Sequence, residues 1–177
     1  THSFHGEPES GKSLILQAEC ARLVNNGERV LYIDFESDKQ SIVDRLLLLG
    51  AEARAVGDHF DYVRPDVSPS SNEADRVAWE AVLDTRYALA VIDGVTEALT
   101  VFGRATLDND DLAAWSREVP KKIADRTGAA VALLDHVVKN KNNQGRFAIG
   151  GQAKMATLTG AAYTVEVLQP LGDGMRG

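Results

Sequence analysis

Eight residues near the start of the chain, Gly6-Glu7-Pro8-Glu9-Ser10-Gly11-Lys12-Ser13, constrain it more than any other stretch. They fit the spacing G-x-x-x-x-G-K-[ST] at every fixed position, and each fixed position has a physical reason. Glycines at the two ends let the backbone curl until successive N–H groups point inward at an anion. A helix beginning at about Gly11 adds its positive N-terminal dipole to the same site. Lys12 is expected to reach the β- and γ-phosphates of a nucleotide, and the Ser13 hydroxyl to ligate Mg²⁺. Pro8 gives up one N–H and stiffens the loop. The expected phosphate-binding segment therefore runs from Gly6 through Glu7, Pro8, Glu9, Ser10, Gly11, Lys12 and Ser13 to Leu14.

The setting supports this reading over a chance Gly/Ser turn. Ahead of the loop, Thr1 to His5 alternates in polarity around Phe4, as a strand does. Behind it, Leu14 to Val24 is apolar at helical spacing and closes at Asn25-Asn26-Gly27. Strand, glycine-rich loop and helix is the required context.

Further along, Arg29 to Phe35 is a β-rich apolar run ending in Glu36-Ser37-Asp38. Ser37 or Asp38 can cap a helix through Ile42, Val43, Leu46 and Leu47 that Gly50 stops. A short strand is expected at Phe60 to Val63, and a helix opened by Ser71 or Asn72 through Val77, Trp79 and Val82. Tyr87 to Ile92 is almost continuously apolar, as in a strand buried on both faces, and ends at Asp93-Gly94. Val95 to Asn109 reads as a long connection. A helix from about Asp110 to Thr127 contains Pro120, which should kink it or divide it in two. Ala129 to Leu134 is another buried strand, ending Asp135-His136, and Tyr163 to Leu168 reads as the last one. Strands alternating with helices predict an α/β fold, a three-layer sandwich around a mostly parallel sheet.

Bulk properties narrow the class. A chain of 177 residues with 44% hydrophobic and 25% charged residues suits one domain with a real core. The formal net charge of -7 means that any nucleic-acid contact must be local. Cys20, the single cysteine, falls inside the first helix pattern; it excludes disulfides within the chain and suits a reducing, cytoplasmic setting. No apolar run reaches membrane-spanning length. His2, His5 and His59 lack metal-ligand spacing, and Trp79 and Trp115 sit in helix patterns as packing residues. Both ends read as cut from a longer protein.

In an open α/β sheet, ligands bind at the C-terminal ends of the strands, and polar groups stand at those ends here. Asp93, after its apolar run, is placed to hold Mg²⁺ through water. Glu36 is either a base for an attacking water or an acidic helix cap. His136 either senses the γ-phosphate or is structural. From Lys139 through Lys154 the charged residues are Lys139, Lys141, Arg146 and Lys154, with no acid among them. That segment reads as a contact for single-stranded DNA phosphates, as a finger reaching a neighbouring subunit's nucleotide through Arg146 or Lys154, or as a solvated loop.

GEPESGKS followed in order by YIDFE, VIDGVTEAL, LLDHVVK and GGQAKMATLTGAAYTVEV resembles the RecA-type ATPase core, nearest to the RepA-like and DnaB-like hexameric helicases of plasmids and phages. The resemblance spans essentially the whole chain. It implies ATP and Mg²⁺ as ligands, Glu36 as catalytic base, Asp93 as the Walker B acid and His136 as the γ-phosphate sensor. It further implies a hexameric ring in which a basic finger near Arg146 or Lys154 acts across the interface. The function expected on this basis is a motor domain that couples ATP hydrolysis to translocation and unwinding of DNA in replication. The alternative is a nucleotide-switched assembly or regulatory module of the same fold. A small-molecule kinase fits less well, since no arginine-rich lid segment is present.

Overall fold

The computed structural model describes residues 1–106, 108–136 and 158–168. Six strands, all pairing in parallel, form one sheet in the order β3-β2-β4-β5-β1-β6. They are β1 (His2–Gly6), β2 (Val30–Asp34), β3 (Phe60–Val63), β4 (Leu89–Asp93), β5 (Ala130–His136) and β6 (Ala162–Thr164). Every residue of β2 and β4 is buried, which is what their unbroken apolar sequence requires of central strands covered on both faces.

Alternation along these strands feeds two separate cores. Leu31, Ile33, Ala90, Ile92, Val131 and Leu133 point to one face. Val30, Tyr32, Leu89, Val91, Ala132 and Leu134 point to the other. The second face is covered by α1 (Lys12–Asn25), α2 (Lys39–Leu48) and α3 (Ala53–His59), with Cys20 fully buried among them. The first is covered by α4 (Glu73–Leu83), α5 (Val95–Val101), α6 (Asn109–Ser116) and α7 (Lys122–Thr127), around Trp115. The result is the expected three-layer α/β sandwich.

Local chemistry sets the helix ends. Asp38 accepts from Ser41 N at 3.0 Å and caps α2, while Asn72 accepts from Asp75 N at 2.9 Å and caps α4. Between α6 and α7 a π-helical turn, Arg117–Lys121, contains Pro120 and divides the long expected helix in two. Three expectations need correction. The stretch after Gly94 is not a plain connection, because Val95–Val101 is helical and buries Val95, Ala98 and Leu99. Helix α3 has no counterpart in the sequence reading. Strand β6 spans Ala162–Thr164; Val165 N still bonds His5 O at 2.8 Å, but the chain beyond it leaves the sheet. No helix among the described residues is long and apolar enough to cross a membrane.

Candidate nucleotide site

The sheet brings β1, β2, β4 and β5 side by side, so Gly6, Asp34, Asp93 and His136 end at one edge. Register makes this specific: Asp34 lies opposite Asp93, and Gly6 opposite His136.

The loop after β1 shows why its residue types are needed. An ideal Cβ on Gly6 would lie 2.3 Å from Val165 O and 2.9 Å from Ser10 Oγ, so no side chain fits there. Gly11 takes φ +87° to turn into α1. Glu9 is the non-glycine residue of the described chain with positive φ, at 61°, a strained conformation of the kind that collects at ligand-binding loops. Lys12 is buried, and its Nζ donates to Gly6 O at 3.1 Å, Glu7 O at 2.8 Å and Ser10 Oγ at 3.3 Å. Burial lowers its pKa, while Glu36, Asp93 and Asp135 oppose that shift.

From the amine a line of side chains crosses the site. His136 Nδ1 lies 3.5 Å from Lys12 Nζ, and His136 Nε2 lies 3.0 Å from Glu36 Oε1. A proton on Nε2 satisfies both neighbours, because the ring then donates to the carboxylate and accepts from the amine. Glu36 is held from below. Asp34, fully buried, accepts from Glu36 N and Ser37 N, each at 2.9 Å, and from Tyr62 Oη at 3.0 Å. Burial first, and the nearby Asp93 second, raise the Glu36 pKa, with His136 pulling the other way. Gly94, at φ +92°, leaves room for this carboxylate, since a Cβ there would sit 2.9 Å from Glu36 Cγ.

The candidate metal residues also meet. Ser13 Oγ donates to Asp93 Oδ1 at 3.4 Å, and Asp93 Oδ2 accepts from Tyr32 Oη at 2.5 Å. Burial raises the Asp93 pKa; the Tyr32 hydrogen bond opposes it. Among the described residues no group of three or more His, Cys, Asp or Glu side chains could cage a metal ion. One hydroxyl and one carboxylate beside a phosphate-binding loop are hard oxygen donors that fit Mg²⁺, which takes its other ligands from phosphate and water. At the end of β5, Asp135 Oδ1 accepts from Thr96 Oγ1 at 3.3 Å and from His136 N at 3.0 Å, which fixes where the histidine leaves the strand.

The structure thus gathers Lys12, Ser13, Glu36, Asp93 and His136 at one place. Arg146 and Lys154, with the whole Lys139–Lys154 segment, lie outside the described residues. Sequence reasoning missed Asp34 and Tyr32. Each is a polar group inside an otherwise apolar strand beside the loop, and that was the available signal.

Fold and site together define a P-loop NTPase of the RecA-like type, and the chain belongs to the family described as AAA domain, which residues 1–142 match. Among curated proteins it is similar to the DNA repair protein RadA of Brucella abortus (strain 2308), at 28% identity over 138 residues. That match covers 76% of this chain but 28% of RadA, so the chain spans little more than a quarter of that relative's length.

Proposed function

We propose that this domain hydrolyses ATP with Mg²⁺ and uses the hydrolysis to move along single-stranded DNA, as the motor of a RepA-like or DnaB-like helicase ring. The observation that carries the catalytic part is the line from Lys12 through His136 to Glu36, which joins a phosphate-binding amine to a candidate base through one imidazole. In this reading Gly6 to Leu14 cradle the phosphates, with Lys12 on the β- and γ-oxygens. Glu36 takes a proton from water as the water oxygen attacks the γ-phosphorus; the bond to the bridging oxygen breaks, and ADP and phosphate leave. Ser13 and Asp93 hold Mg²⁺, which when bound offsets charge on the phosphate oxygens. In this reading His136, which contacts both the amine and the base, registers whether a γ-phosphate is bound.

Two further facts support the DNA part. The acid-free segment Lys139 to Lys154 begins three residues beyond His136 in a chain of net charge -7. The similar RadA carries DNA repair in its name. Either Arg146 or Lys154 then supplies the cation that completes a neighbour's site in the ring, proposed here as a hexamer.

Steady-state ATPase assays with and without a single-stranded oligonucleotide test this. Stimulation by DNA that weakens as salt rises is the expected result. Hydrolysis indifferent to DNA at low salt would instead leave the nucleotide-switched assembly module.

A further inference from the structure

Three hydrogen bonds link four side chains beneath the phosphate loop. Gln17 Nε2 donates to Tyr32 Oη at 3.2 Å, and Tyr32 Oη donates to Asp93 Oδ2 at 2.5 Å. Asp93 Oδ1 accepts from Ser13 Oγ at 3.4 Å. Ser13 and Gln17 stand four residues apart on α1, hence on one face of that helix, which closes the circuit. Gln17 and Tyr32 are fully buried.

Packing alone does not account for the phenol. Tyr32 sits in the apolar layer formed with Val30, Val91 and Leu134, where phenylalanine would fill nearly the same volume. Its hydroxyl has a single proton, and the carboxylate takes it, so Gln17 has to present its NH₂ end. Gln17 Oε1 is then left buried with no partner among the described residues. A buried, unpaired amide oxygen costs free energy, on the order of 1–3 kcal/mol. The arrangement tolerates that cost while keeping the donor on Tyr32.

The geometry explains what is gained. An aspartate carboxylate rotates over a broad range about its last torsion, so an untethered Asp93 would sweep its oxygens past Ser13. Register places Tyr32 beside Val91, diagonal to Asp93 on the same face, where a long aromatic side chain reaches the carboxylate. We infer that Tyr32, itself oriented by Gln17, is a positioning residue that fixes the Asp93 carboxylate so that Oδ1 and Ser13 Oγ face one point. This rests on the assignment of Ser13 and Asp93 to Mg²⁺ proposed above.

The test measures binding of a fluorescent ATP analogue to Tyr32→Phe and Gln17→Met with Mg²⁺ and with EDTA, alongside Mn²⁺ binding by electron paramagnetic resonance. Partners that orient metal ligands typically change metal affinity by about 10–100-fold. Tyr32→Phe should therefore keep its EDTA affinity, lose about tenfold of the Mg²⁺ enhancement and weaken Mn²⁺ binding to match. Gln17→Met should lose a smaller part of both, and it decides the matter if Tyr32→Phe does not fold. Melting temperatures in EDTA report any purely structural cost separately. An unchanged Mg²⁺ enhancement in both variants, while Asp93→Asn and Ser13→Ala lose it, overturns the inference alone. An unchanged enhancement in Asp93→Asn and Ser13→Ala as well would overturn the assignment of the metal ligands, and the inference with it.

Discussion

Lys12 and Glu36 show what single residues are asked to do. The Lys12 amine makes contacts to its own loop and to His136 but has no place in either apolar core, so its removal should spare the fold. Lys12→Ala is expected to abolish tight Mg-ATP binding with an unchanged melting temperature in EDTA; wild-type turnover by this variant would remove the phosphate-loop assignment. Glu36→Gln should keep nucleotide affinity and slow hydrolysis by about 10²-fold or more, the size of a lost general base. Normal turnover would leave Glu36 as a structural partner of His136, since Asp38 already caps α2. The pH dependence follows from the raised Glu36 pKa. A base must be deprotonated, so turnover should fall as pH drops through that raised value, higher than for a free glutamate. Stability runs the opposite way: the contribution of protonated Glu36 is complete below the unfolded-state pKa and lost as pH rises through the folded one. A pH–rate profile compared with that of His136→Asn checks the sign. Losing the histidine removes a pull toward the charged form, so the acid limb should move up, and a limb that moves down contradicts the geometry.

At the scale of elements, α4 to α7 pack on one face of the sheet around Trp115. Trp115 is among the largest fully buried side chains and packs between α6 and the sheet face of Ile92 and Val131. Trp115→Ala should lower unfolding stability by about 3–5 kcal/mol, measured by urea denaturation. A loss under about 1 kcal/mol would mean that the layer collapses around the gap. Legibility in the sequence followed the strength of the periodic signal. Strands β2, β4 and β5 were evident because burial on both faces writes a continuous apolar run. Helix α3 was not: it has seven residues, with Gly57 inside and Val56 as its buried residue, so no helical period develops. Helix α5 hid behind Asp93-Gly94, which reads as a turn, and behind the β-branched pair Val95-Thr96 at its start. The loop and its lysine were plain because their chemistry is local. The Glu36–His136 contact joins residues 100 positions apart, and only strand order brings them together. Tyr32 reads in sequence as one more β-forming aromatic until Asp93 is seen beside it.

For the molecule as a whole, the proposed ring turns on a cation supplied by a neighbour on the side of the γ-phosphate. If Arg146 or Lys154 of a neighbour supplies it, specific ATPase activity should rise with protein concentration as rings assemble. Mixing an Arg146→Ala or Lys154→Ala variant with Lys12→Ala is the sharper measurement. Each alone should be inactive, while mixed assemblies contain interfaces with an intact loop on one side and an intact finger on the other, so partial activity should return. Activity independent of concentration, with no rescue on mixing, would mean that one subunit is sufficient.

Strand order also bears on how the chain matures during synthesis. Strands β2, β3 and β4 find partners among one another, within residues 30–93. Strand β1, which carries the phosphate loop, pairs only with β5 and β6 among the described residues, and β5 starts at Ala130. A nascent chain can therefore assemble the β3-β2-β4 half of the sheet while β1 waits unpaired for segments made more than a hundred residues later. Such long-range closure is slow. During that interval nucleotide has no finished loop to bind and cannot stabilise the emerging domain; the strand that carries the loop is made before the strands that complete it.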